Sequence, residues 1–555
     1  MKIVLSKFNF LSSKPAIFLY YVICVLVLTY PWVLDFWTKL LGYNDAWQSV
    51  WNFWWVKTAL IDLHNNPLFT SYLHWPNGIS LLFHTINLSN SLVAVPLQYI
   101  FSLTTTYNIL LFFNFAFNGF ATYFLAYYLT KNKFASFIAG YILAFSPYMF
   151  AHAQGHLNLL SFGWLVLFIL YFIKMAQNET DWKLPALFLV ITGLADWYYF
   201  FYLGIIVVFT LFFYSVTNRK IFSKVFIKNL IISLVIGFLI LSPYLGAMLY
   251  LNIKTHEFDQ IVHLPTDYSI DLSAFFLPNV TWFFFKKYFY RFWYIWHWTW
   301  ENIGFLGYSI IALFLYTLIK IRKKIVYFWV LLVLIFCVLA LGPYLQVNGV
   351  IYKNFTLPYY YLYKYIPFMT MQGIPARFMS IVYLSLGILA AIAIKDILNI
   401  KSKLKYLILG LIMISIFIEY LPTQLKISPV LRPNFYVTLS QDPNDYAILD
   451  ISDKDYKVLF YQTIHHKRLI SGYTSRPSKK TIEFLDETPI ISNIYHGIDF
   501  TDINFNIEES KNVLIKYSVK YILISSSDKN RSKIISKLEL PIIFQNNTRT
   551  IYQVY

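Results

Sequence analysis

The sequence predicts an all-α polytopic membrane protein that ends in a small α/β unit, and three observations carry the prediction. The 555 residues are 58% hydrophobic and only 13% charged, about half the charged fraction of an average soluble domain. Apolar residues arrive in runs that approach the roughly 20 residues needed to cross a bilayer. Basic residues cluster in short segments beside those runs, as the positive-inside rule expects of cytoplasmic loops. A water-soluble enzyme with a polar shell is thereby excluded, and the net charge of +18 reports orientation rather than a nucleic-acid partner.

Eleven runs are read as spans: 15–34, 107–129, 134–150, 157–175, 184–196, 198–217, 229–246, 304–320, 325–342, 378–394 and 405–422. Lys2, Lys7 and Lys14 precede the first, and no small-residue cleavage pattern follows it, so it reads as an uncleaved span with a cytoplasmic N-terminus. The clusters Lys131/Lys133, Lys174/Lys183, Arg219/Lys220/Lys224/Lys228, Lys320/Arg322/Lys323/Lys324 and Lys395/Lys401/Lys403/Lys405 then all fall inside. An odd number of spans leaves the C-terminus outside a plasma membrane. Residues 86–103 are also apolar, but counting them would invert every later cluster. They are predicted to lie in, or dip into, the outer interface. Cys24 and Cys337 sit within apolar runs and read as small hydrophobes.

This topology leaves long outer stretches, of which the first covers 35–106. Trp47, Trp51, Trp54 and Trp55 crowd it, and Trp282, Trp293, Trp296, Trp298 and Trp300 crowd the second. Because tryptophan gathers at headgroup level, both are predicted to form helices riding on the membrane surface. Residues 45–63 show the helical stripe most clearly. The membrane part is predicted over 1–425. From 426 to 555 the composition becomes that of a soluble domain, with 17 basic and 14 acidic residues. Strand-like runs begin at Tyr446, Lys457, Arg468, Lys520, Pro541 and Thr550, which predicts a small extracytoplasmic α/β domain.

The membrane part holds few acids, so each near the bilayer needs a reason. The outer set is Asp35, Asp45, Asp62, Asp196, Glu257, Asp259, Asp267, Asp271 and Glu301. Asp45 opens the tryptophan-rich helix in GYNDAWQSVWNFWW, where it is either an N-cap or a working carboxylate. His152 and His156, four apart in AHAQGHLN, suit metal binding, phosphate orientation, proton transfer or plain interface hydrogen bonding. Asp196 in LADWYYFFY is a cap or points into an outer cavity. Arg377 in GIPARFMS either snorkels or binds a phosphate. His74 in HWPNG and Glu301 in WTWEN complete the candidates. In the C-terminal domain Tyr461, Gln462, His465, His466 and Tyr473 offer sugar-binding chemistry.

A first span, a long outer loop opening on an acid, short-looped spans and an outer C-terminal domain together resemble the GT-C superfamily of polytopic membrane glycosyltransferases. The similarity is to its prokaryotic members related to protein mannosyltransferases and lipid-A aminoarabinose transferases. The motif match lies mostly in the first outer loop and the GHLNL and PARF stretches. The resemblance implies an inverting transferase of the cell envelope that moves a sugar from a polyprenyl-phosphate donor to a lipid, glycan or protein acceptor at the outer face. It implies that Asp45 engages the acceptor nucleophile. The candidates for the leaving phosphate and substrate are then Arg377, His152, His156, Asp196, Glu301 and His74. Many relatives carry an acidic, metal-binding second loop, whereas here that loop reads AHAQGH. A divalent cation is therefore left open, with Asp196 or Glu301 as the carboxylates that would replace the missing ones. The alternative from another class is a non-catalytic transporter or assembly factor for lipid-linked saccharides.

Overall fold

The computed structural model describes residues 13–256, 263–278 and 299–555, apart from 367, 424, 478 and 500–505. Between 279 and 298 it describes Trp282–Phe284, Tyr288, Arg291–Phe292 and Trp296. Lys2, Lys7, Glu257, Asp259, Trp293 and Trp298 lie outside the described residues.

Each apolar run carries a helix. In chain order these are α1 (Lys14–Leu28), α2 (Asp45–Lys57), α3 (Leu88–Leu97), α4 (Leu103–Thr130), α5 (Lys133–Ala144), α6 (Pro147–His152), α7 (Gly163–Ala176), α8 (Lys183–Ala195), α9 (Trp197–Thr217), α10 (Lys224–Thr255), α11 (Tyr308–Lys320), α12 (Lys324–Ala340), α13 (Met379–Asn399) and α14 (Leu404–Glu419). Leu103–Thr130, Leu157–Ala176, Trp197–Thr217, Lys224–Thr255 and Pro375–Asn399 are long and apolar enough to cross a membrane by length and composition. Their boundaries follow local chemistry. Ser102, Asn132, Ser146, Asp196 and Ser223 each accept a backbone N–H of the first turn they precede, satisfying donors a helix start leaves open. Ser146 and Pro147 also split the run read as 134–150 into α5 and α6.

The reversals between helices collect at two ends. At one, the basic turns touch each other: Tyr128 bonds Glu179 (2.8 Å) and Lys324 bonds the Thr217 carbonyl (2.6 Å). Asp45, His152, His156, Asp196 and Arg377 occupy turns at the opposite end, which is where the site forms. α3 is ten residues long, about 15 Å and half of a span. It packs on α2 and α8.

Close helix contact depends on small residues. Tyr21 of α1 lies against Gly119 of α4 and Gly140 of α5, and its hydroxyl donates to the Phe137 carbonyl (2.9 Å). Asn118 then pins the next turn, donating to the Leu160 carbonyl (2.9 Å) and accepting from the Gly163 N–H (2.7 Å).

The C-terminal segment is tied to the first loop by a short antiparallel pair, β1 (Lys39–Leu41) with β2 (Ile427–Pro429). Beyond it, β3 (Ala447–Ile451), β4 (Arg468–Leu469), β5 (Val519–Ser525), β6 (Ile542–Gln545) and β7 (Arg549–Gln553) form one sheet in the order β6-β7-β5-β3-β4. Two expectations fail here. The run at Lys457 is not a strand but part of α15 (Asp455–His465). Its buried residues are near-continuous rather than alternating, and Asp455 in its first turn complements the helix dipole.

The second failure concerns the tryptophans of α2. They do not ride at headgroup level: Trp47, Trp51, Trp54 and Trp55 are at most 7% exposed. Trp51 donates to Gln462 of α15 (2.8 Å), Trp47 packs on Phe460, and Trp54 stacks on His466. The stripe is the seam between the first loop and the C-terminal segment, because aromatic area is best hidden against another apolar face. Likewise Trp282 is buried and donates to the Ile418 carbonyl (2.8 Å).

Gly140→Val is expected to overpack this junction and cost about 1–3 kcal/mol. A thermal melt of the detergent-solubilised chain checks it, with Gly246→Ala, which meets nothing within 4 Å, as the neutral control; equal melting temperatures would refute the packing role.

Candidate active site

The site begins with backbone docking. Gly42 has φ +137° and approaches the Gln154 carbonyl so closely that a Cβ would clash, which is why only glycine fits there. The Tyr43 N–H donates to that same carbonyl (2.9 Å). This lays the start of α2 across the turn 153–156. Asn44, with φ +47°, precedes the helix without a side-chain cap bond, so the N-cap reading of Asp45 fails. The Asp45 carboxylate instead meets His156 Nε2 (3.1 Å) and accepts from the Tyr473 hydroxyl (3.3 Å).

His156 passes the contact inward. Its Nδ1 lies 3.0 Å from Nδ1 of His152 and 3.5 Å from Glu301. Glu301 lies 3.7 Å from His152 Nε2 and is gripped by Arg377, whose Nη2 donates at 2.7 Å. The Arg377 guanidinium also sits 4.8 Å from the centre of the Tyr198 ring. Trp300, expected at the membrane surface, stacks on His156 with centroids 4.8 Å apart. Asp196 stays apart from this chain of contacts. It caps α9 through the Tyr198 N–H (2.7 Å) and accepts from Asn158 (2.6 Å).

Burial and charge set the protonation pattern. Burial would raise Glu301, but Arg377, reinforced by the two histidines, holds it well below the usual carboxylate range. Burial also pushes Asp45 up, and the His156 and Tyr473 contacts outweigh it, so its pKa is lowered. His152 is pushed down to about 3, chiefly by burial. Glu301 is therefore ionised beside a neutral His152, and Asp45 is ionised at the edge of the site.

These groups border a cavity of about 390 Å³ that also takes in Asp196, Arg377, Tyr473, Ser475 and Arg476. Of the sequence candidates, Asp45, His156, Glu301, Arg377 and Asp196 line it, and His152 stands directly behind. His74 is not brought there. It is buried beside the C-terminal segment, its N–H on the Ser471 carbonyl (3.2 Å). Asp35 pairs with Lys39 (2.9 Å) and Asp271 accepts the N–H groups of Ser273, Asn348 and Gly349. Of the C-terminal candidates only Tyr473 reaches the cavity; Gln462 and His465 are buried in the seam and its support. Arg476 carried no signal in the sequence beyond its nearness to Tyr473.

His152, His156 and Glu301 each offer a ligand atom within 4.8 Å of the others, and among the described residues the buried His152 Nε2 has no hydrogen-bond partner. Two imidazoles and a carboxylate suit zinc better than magnesium, which prefers oxygen ligands.

A helical membrane part with a cavity at one end is a fold that this chain shares with solved membrane glycosyltransferases. Arabinofuranosyltransferase AftD from Mycobacteria superposes with a TM-score of 0.60 at 11% identity, over 97% of this chain and 40% of that one. ArnT from Cupriavidus metallidurans, bound to undecaprenyl phosphate, superposes at 0.51 and 10% identity, over 97% and 98%. Residues 18–416 match the model of a domain of unknown function, DUF6311, and the chain belongs to that family. No curated protein matches it in sequence.

Two outcomes follow from the electrostatics. Arg377→Gln leaves Glu301 buried and unpaired and is expected to cost about 3–5 kcal/mol, while adding Glu301→Gln should restore much of that loss; additive losses in denaturation of the two singles and the double would sink the pairing. His74 is pushed down to about 4, and His84, His152 and His465 to about 3, first of all by burial. Unfolded histidines titrate near about 6.5, so between these values the unfolded chain binds more protons and stability falls with falling pH. The melting temperature is expected to drop from pH 7 toward pH 4; a flat profile would contradict the neutral burial of these rings.

Proposed function

We propose that this protein is an inverting glycosyltransferase that moves a sugar from a polyprenyl-phosphate donor to an acceptor at the outer face of the membrane. The observation that carries the reading is the Asp45 carboxylate, kept ionised by His156 and Tyr473 at the edge of the cavity. Such a group accepts a proton from the acceptor nucleophile while the anomeric carbon gains positive character. The new bond forms opposite the departing phosphate, so a single displacement inverts the centre. The phosphate leaves with the electrons of the broken C–O bond, and a guanidinium group stabilises that developing charge in a partly dry site.

A second cavity, of about 610 Å³ and lined by Leu68, Phe69, Leu82, Ile240, Leu241 and Ala247, adjoins the first, with Leu194 and Tyr244 bordering both. Its apolar wall suits the first isoprene units of the donor. A cation held by His152, His156 and Glu301 would supply Lewis-acid polarisation of a phosphate oxygen. Those side chains also orient Asp45 directly, through the His156 contact. The basic turns lie at the end away from this site, which supports an outer location for it and for the C-terminal domain.

The test is transfer from labelled polyprenyl-phosphate hexoses and pentoses to membrane lipid, glycan and protein. Asp45→Asn is expected to reduce turnover at least about 100-fold with an unchanged melting temperature, and Tyr473→Phe to reduce it less. Full activity in Asp45→Asn would remove this carboxylate from the chemistry, and no transfer from any donor would favour a protein that carries or assembles lipid-linked saccharides.

A further inference from the structure

Two arginines face the same cavity, and their surroundings differ. Arg377 is committed: its guanidinium is bonded to Glu301 by two nitrogens, at 2.7 and 3.4 Å. Arg476 reaches the cavity from the C-terminal segment. Its Nη1 and Nη2 donate to the backbone carbonyls of Phe83 (3.2 Å) and Met371 (2.7 Å), and the Tyr198 hydroxyl is a third neighbour. None of these partners carries a full negative charge at neutral pH. The three cavity carboxylates are engaged elsewhere: Asp45 with His156 and Tyr473, Asp196 with Asn158 and the α9 N-terminus, Glu301 with Arg377. Among the described residues no carboxylate lies within ion-pair distance of Arg476.

A guanidinium has five N–H donors, so two carbonyls and a hydroxyl leave part of the fork unspent. Its planar geometry matches the oxygens of a phosphate. The two carbonyl contacts fix the plane of the group beforehand, which lowers the entropy lost when a ligand arrives. On this geometry we propose that Arg476 is the phosphate-binding arginine of the cavity, and that Arg377 is the structural counter-ion of Glu301. Burial lowers the Arg476 pKa, the nearby Arg377 charge adding to it, as expected of a cation awaiting an anion.

The consequence is a site built by both halves of the chain. The membrane part supplies Asp45 and the histidines, while the C-terminal segment supplies Tyr473 to Asp45 and Arg476 to the phosphate, only three residues apart. The C-terminal segment is then part of the binding machinery rather than a cover. This deepens the glycosyltransferase reading and rests on it for the identity of the phosphate as that of a lipid-linked donor.

The experiment measures equilibrium binding of undecaprenyl phosphate to the full chain in nanodiscs, with undecaprenol as the uncharged control and inorganic phosphate as competitor. Arg476→Gln is expected to weaken undecaprenyl phosphate at least tenfold, with undecaprenol binding and melting temperature unchanged. Arg476→Lys is expected to fall between wild type and Arg476→Gln, because an ammonium keeps the charge and loses the fork; it carries the test if Arg476→Gln does not fold. Competition by inorganic phosphate that disappears in the variant assigns the site to the phosphate group itself, whereas absence of competition assigns it to the lipid-linked form. Wild-type affinity in both variants, or equal binding of undecaprenol and its phosphate by wild type, overturns the proposal. Arg476-dependent binding without glycosyl transfer from any donor keeps the site and sinks the transferase reading. Transfer that survives Arg476→Gln does the reverse.

Discussion

A carboxylate buried in the wall of a cavity is tolerable only beside a compensating charge, and Glu301 has one in Arg377 at 2.7 Å. That ion pair joins two distant parts of the chain, the end of the second outer stretch and the entry to α13. The histidines lean on it from the other side, at 3.5 and 3.7 Å, and through His156 it reaches Asp45. Breaking such a pair strands a buried charge, so the site and the local fold stand or fall together. The rest of the cavity is arranged around this fixed centre, with Trp300 stacked on His156 and Tyr198 beneath the guanidinium.

The C-terminal segment is coupled to this centre by an aromatic seam rather than by charge. α2 buries its tryptophans against α15, and the same helix presents Asp45 at its first residue. Movement of the C-terminal segment therefore shifts both the carboxylate and its partner Tyr473. Such a seam also explains why α2 stays helical although β-favouring aromatics fill it: tertiary burial outweighs local propensity. Glycine at 42 completes the coupling, because it lets the chain entering α2 touch the turn that carries His156.

The helices and the basic turns were legible in the sequence because each depends on local chemistry, apolar run length and lysines that avoid the bilayer; the helix ends were less so, since Ser146 and Pro147 split one run and α10 continues to Thr255. The acids and histidines worth testing were legible too, since charged groups are rare enough in such a chain to need a reason. Less legible was what those groups touch. Asp45 looked equally like a cap, and Asn44 with its positive φ settled that through backbone geometry no residue pattern announces. The tryptophans pointed to a membrane surface because headgroups and protein interiors favour the same amphipathic ring.

By itself the sequence determined a helical membrane chain, with its basic turns apart from its acids and a strand-rich C-terminus, since these follow from periodicity and transfer energetics. Only the tertiary structure decided that Glu301 pairs with Arg377, that His152 and His156 gain Glu301, more than a hundred residues away in sequence, and that Arg476 enters the cavity with no carboxylate partner among the described residues. The physical reason is that charge pairing and desolvation are set by three-dimensional proximity, which one-dimensional spacing does not encode beyond a helical turn.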